Sequence, residues 1–172
     1  MNKRALLFGL AYSITAIAFK LYILLSGNSF SRFGFFYAQA VSVFLFIPFY
    51  YLAIKITRDK DYGGVIGGRE GLRLALTVFV VGIILCSIYH YFEFEFALKD
   101  LTPKYYNSQQ FLEFLRAQKG IKPEKYKDII QEMIASASAF RAVTAKLISY
   151  MVIGVGTAFI TAVMLKRKPV AG

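Results

Sequence analysis

Four long apolar blocks separated by polar connectors organise the 172 residues: about 5–26, 33–54, 72–92 and 143–165. Each can cross the roughly 30 Å hydrocarbon core of a bilayer, which takes about 20 mainly apolar residues as a helix. Lipid offers the backbone no hydrogen-bond partner, so a lone apolar block satisfies its own N–H and C=O groups only as a helix. The pattern predicts an all-α membrane protein, one membrane domain over 1–172. It has four transmembrane helices and a helical outward-facing segment, about 93–141, between the third and the fourth. The first block follows Asn2-Lys3-Arg4, a basic start that a signal peptide would share. Its length, the interrupting Lys20 and the lack of an A-x-A-like site favour an uncleaved helix. In the second block Pro48 lacks the N–H that would bond Phe44, which predicts a kink.

The polar segment has its own periodicity. Phe111-Leu112-x-Phe114-Leu115 reads as a short amphipathic helix ended by Gly120. Pro123-Glu124 suits a new helix start, with proline tolerated in the first turn and an acid favoured there. From it Tyr126, Ile129, Ile130, Met133, Ile134, Ala137 and Phe140 recur at helical spacing. No glycine or proline intervenes before Gly154, so the pattern leaves open two outcomes: this helix runs straight into the fourth span, or it stops short of it.

Charge sets the orientation. Lys3, Arg4, Lys55, Arg58, Lys60, Arg69, Arg73, Lys166, Arg167 and Lys168 flank the blocks on one side, against Arg32 in the short loop on the other. Basic residues gather on the cytoplasmic side, and long loops cross largely regardless of charge. Both termini are therefore expected in the cytoplasm, with 93–141 facing outward. The net charge of +11 has this same cause. No basic, aromatic-interleaved module stands outside the apolar blocks, so nucleic acid is not an expected partner. The single cysteine, Cys86, permits no intrachain disulfide.

The connector 55–71 carries Arg58-Asp59-Lys60, then Gly63-Gly64-x-Ile66, with Arg73 near the start of the next helix. Together with four spans, a long polar segment before the last, and the basic tail Leu165-Lys166-Arg167-Lys168, this run resembles the bacterial membrane family called domain of unknown function 4199. The resemblance covers nearly the whole chain and implies a multi-pass protein of the bacterial inner membrane. One departure stands out. Where compared members read Ser-Phe-Gly and then Ala-Phe, this chain has Gly67-Gly68 and Gly71-Leu72. The resemblance implies an architecture and transfers no mechanism.

Candidate chemistry is sparse. Gly63 and Gly64, with Arg69 and Arg73, could contact a lipid head-group beside the anionic inner leaflet, or form only a flexible turn. They make no nucleotide loop, since no Gly-Lys-Ser/Thr follows. Lys20 lies inside the first span, where an ionisable group is costly. It can snorkel outward, pair with Glu93 or Glu95, or mark an ion pathway. His90 and Glu93 share a helical face, but a metal would need further ligands from elsewhere. Around them Tyr89, Tyr91, Phe92, Phe94 and Phe96 suit an aromatic belt at the membrane interface. Gly154, Ala158 and Ala162 recur every fourth residue, which lets helices approach closely, within the bundle or across an oligomer.

No nucleophile, base and acid can be assembled into a catalytic set, so an enzyme is not expected, and no cofactor or metal site is assigned. The leading expectation is a non-enzymatic accessory or scaffold subunit acting through helix–helix and outward-segment contacts. The alternative is a small transporter or a lipid-handling protein for phospholipid or polyprenyl phosphate. Expected partners are membrane lipids, with a membrane-protein partner or further copies of the chain.

Overall fold

The computed structural model describes residues 2–31, 34, 38–118 and 120–167. Residues 33 and 35–37 of the second block, and Arg32 and Lys168 of the charge pattern, lie outside the described residues. The described chain forms eight α-helices: α1 (Lys3–Leu25), α2 (Ala38–Phe44), α3 (Phe46–Asp61), α4 (Gly68–Glu93), α5 (Leu101–Tyr106), α6 (Gln109–Ala117), α7 (Tyr126–Ala135) and α8 (Ala139–Leu165). Four stretches are long and apolar enough to cross a membrane: Lys3–Leu25, Ala38–Asp61, Gly68–Leu98 and Ala139–Leu165.

Local chemistry explains the helix ends. Asn2 opens α1 by accepting from the N–H groups of Arg4 and Ala5, which satisfies two of the otherwise unbonded first-turn donors. The second span is interrupted at Leu45, three residues before Pro48, at the break that the missing proline N–H predicts. Lys55–Asp61, expected as connector, is instead the last part of α3. No helix breaker intervenes before Gly63, and charged residues extend a helix readily once it leaves the apolar layer. Gly63 and Gly64 then turn the chain at φ +60° and +86°, the left-handed region that favours glycine. After α4, Phe94–Leu98 form one wide π turn.

Of the two outcomes open from Pro123 to the last span, the chain takes the interrupted one. After a short 3₁₀ turn at Pro123–Lys125, α7 stops at Ala135 and α8 begins at Ala139. Serine decides this. The hydroxyl of Ser136 donates back to the Met133 carbonyl, and Ser138 Oγ accepts from the Arg141 N–H at 3.2 Å as an N-cap.

The chain divides into two compact units, residues 1–87 with 147–172, and residues 88–146. In the first, Tyr12 stacks on Phe46 with ring centroids 3.7 Å apart. Around this pair lie Tyr50, Val78, Phe79 and Ala158, all buried. Helices in lipid gain nothing from excluding water and associate through close packing and interhelical bonds. Gly82 makes room for the stack, since a Cβ there would sit 2.6 Å from Tyr12 Cδ1. The polar ends of the buried tyrosines are satisfied: Tyr12 donates to the Ser42 carbonyl at 3.0 Å, Tyr50 to the Gly154 carbonyl at 3.2 Å.

The second unit has its own core of Phe111, Leu115 and Ile130, with Tyr105, Tyr106 and Tyr126 packed on it. Ser108 caps α6 by accepting from the Phe111 N–H. Gly120, at φ +99°, follows α6 as the glycine stop that the sequence suggests.

Candidate functional site

Within the second unit a polar cluster forms in a greasy setting. His90 and Glu93, three apart at the end of α4, meet Lys146 of α8. His90 Nδ1 lies 2.9 Å from Glu93 Oε2, and Lys146 Nζ lies 3.1 Å from the same Nδ1 and 3.3 Å from the same oxygen. The Tyr89 hydroxyl donates to the other carboxylate oxygen at 3.2 Å. His90 and Glu93 are buried, with side chains 3% and 6% exposed, while Lys146 keeps 26%.

The hydrogen-bonding rules of the three groups restrict what they can do. A lysine ammonium only donates and a carboxylate only accepts, whereas Nδ1 does one or the other according to its proton. A protonated Nδ1 donates to Glu93; a bare Nδ1 accepts from Lys146. The two contacts are therefore alternatives, and the cluster can hold a proton on either side of the ring nitrogen. In both states Lys146 still bonds the carboxylate, so the acid never faces the apolar surroundings without a cation.

Sequence reasoning placed His90 and Glu93 on one face and missed Lys146. The signal was present, because Lys146 falls inside the fourth apolar block, where an ionisable group is expensive and implies a partner. Among the described residues, no three His, Cys, Asp or Glu side chains gather as metal ligands. Tyr91, Phe92 and Phe96 are exposed, as a membrane-interface belt requires, while Phe94 is buried.

The other candidates fall as follows. Lys20 is buried on the inward face of α1, shared with Tyr12, Ser13, Ala16 and Ile23. Glu95 pairs with Lys99 at 3.1 Å on the surface. Gly154, Ala158 and Ala162 all face into the first unit: Gly154 lies against Phe79, and Ala162 against Gly71. Arg69 and Arg73 line a common groove along α4, whereas Gly63 and Gly64 form the turn before it. In the second unit burial pushes the phenols of Tyr105 and Tyr106 above the ordinary tyrosine value.

The connector residues close a compact turn. The N–H groups of Tyr62 and Gly64 both donate to the Arg58 carbonyl, at 3.2 and 2.9 Å. Arg58 is itself buried, its Nε bonded to Asp59 at 2.7 Å. Two residues past the glycines, Ile66 exchanges both backbone bonds with Arg167, at 3.2 and 3.1 Å, which ties the tail to the turn. Residues 3–167, nearly the whole chain, match the family described as "Protein of unknown function (DUF4199)". The chain belongs to that family. No curated protein and no solved structure matches it. The residues by which this DUF4199 chain resembles its family thus build a turn and its clamp. Beside it the Glu70 carboxylate folds back over Gly67 at the start of α4.

Proposed function

We propose that this protein is a non-enzymatic accessory subunit of a bacterial inner-membrane assembly, with both termini in the cytoplasm and residues 88–146 as its docking module. The observation that carries the proposal is the construction of that unit. A mere connection between two spans needs no core, yet this one has Phe111, Leu115 and Ile130 packed together. It is also clasped at its ends, since His90 and Glu93 near its first residue bond Lys146 at its last. A pre-ordered surface loses less freedom on binding and so binds more tightly. On that unit Phe114 and Met133 remain 43% and 37% exposed, and apolar side chains left outside a core are the kind of group that interfaces bury. The His90 cluster supports a structural role as well, because its polar atoms are engaged with one another.

The test is affinity purification of the natively expressed chain in mild detergent, with mass spectrometry of the eluate. A stoichiometric membrane-protein partner that is lost on Phe114→Glu with Met133→Glu, while the variant elutes and melts as the parent does, supports the docking module. A chain that purifies alone, or a partner that survives both substitutions, overturns it. Orientation is tested separately by a reporter fused after Gly172, which activity confined to the periplasm would contradict.

A further inference from the structure

A groove of about 820 Å³ runs along one face of α4 in the first unit, and its two ends differ in chemistry. Arg69 and Arg73, one helical turn apart, form one end; Leu76, Val80 and Ile84 continue along it. Both arginines are exposed, and neither forms an ion pair with a described residue. Glu70 shares the rim, but its carboxylate is turned back over Gly67. Two guanidinium groups against one carboxylate leave the polar end positive.

We infer that this groove is a binding site for an anionic phospholipid of the cytoplasmic leaflet, its phosphate held by Arg69 and Arg73 and an acyl chain laid along Leu76, Val80 and Ile84. Charge complementarity selects the occupant. The guanidinium fork matches phosphate oxygens two at a time, and the end it occupies lies at the membrane edge, where anionic head-groups sit. Length agrees. From Arg73 to Ile84 is 11 residues, about 17 Å at 1.5 Å each, close to half of a roughly 30 Å hydrocarbon core. A lipid of one leaflet therefore fills the groove from its charged end to its apolar end. An apolar helix face with no charge at its head would meet any lipid equally; the paired arginines make this one selective. The site stands independently of the docking module, and its assignment to the cytoplasmic leaflet rests on the orientation proposed above.

Native mass spectrometry of the full chain tests it, after delipidation and re-addition of either phosphatidylglycerol or phosphatidylcholine. Phosphatidylglycerol is expected to be retained about tenfold better, with the preference falling as salt is raised. Arg69→Gln with Arg73→Gln should abolish the preference, while Lys60→Gln, a basic residue outside the groove, should leave it. Ile84→Trp, which fills the apolar end, should weaken retention with both arginines intact. Equal retention of the two lipids, or an unchanged preference in the double variant, overturns the site. So does a polyprenyl phosphate as the lipid that co-purifies, or a second copy of the chain that covers the groove and is displaced by Ile84→Trp.

Discussion

The ammonium of Lys146 lies 3.1 Å from Nδ1 of His90, although 56 residues separate them in the chain. Glu93 completes the contact, and the three together close residues 88–146 at its ends. Breaking a buried ion pair by removing one partner costs about 3–5 kcal/mol, because the other charge is stranded. Lys146 is 26% exposed, so water relieves part of that loss. Glu93→Gln is expected to destabilise the protein by about 2–4 kcal/mol. Lys146→Met should cost less, since His90 can still protonate and donate to Glu93. Thermal unfolding in one detergent compares the two; negligible losses in both would remove the clasp, and equal large losses would remove the compensation by His90.

Gly154 and Gly156, two residues apart on α8, should respond in opposite ways. A Cβ at 154 would lie 2.5 Å from Phe79 Cε2, and the ring cannot swing away freely because it packs on Phe46. Gly154→Ala is expected to lose about 1–3 kcal/mol through overpacking. A Cβ at 156 meets nothing within 4 Å. Gly156→Ala should be neutral or stabilising, by up to about 1 kcal/mol from helix propensity. Matched melting curves decide it, and a tolerant position 154 would contradict the packing described.

Thr57 is fully buried, and its hydroxyl has no hydrogen-bond partner among the described residues. An unmet buried hydroxyl costs about 1–3 kcal/mol, and valine has nearly the same shape without it. Thr57→Val is therefore expected to raise stability by about 1 kcal/mol or more. A clear loss in the same melting assay would mean that the hydroxyl is bonded in the membrane.

The core of the second unit can be tested without touching the spans. Phe111 is buried against Tyr105 and Tyr106, with ring centroids 5.5 and 4.9 Å away. Phe111→Ala should cost about 3–5 kcal/mol locally. Limited proteolysis should then cut within 88–146 while the first unit stays resistant. Unaltered resistance of 88–146 would deny it an independent core.

Much of the architecture was legible because membrane helices are specified locally. A bilayer-length apolar block must become a helix whatever its neighbours, so four spans could be counted, the break near Pro48 expected and Gly120 read as a stop. The same locality misled at one place and fell short at another. Charge marked Lys55–Asp61 as connector, but charge alone does not end a helix; Gly63 and Gly64 do. A continuous apolar period linked Tyr126 to Phe140, while the capping bonds of Ser136 and Ser138 broke it.

Partners between distant segments belong to tertiary structure alone. The sequence by itself determined an all-α chain with four apolar spans, a polar segment before the last, and a Gly-Gly turn, because each follows from short-range sterics and the solvent. It showed His90 beside Glu93, since a helix places every third or fourth residue on one face. Only the fold brought Lys146 to them across 53 residues and more, and turned Gly154, Ala158 and Ala162 inward. Those arrangements depend on which faces of packed helices meet, and one rotation of α8 about its axis would have changed them without altering any local pattern.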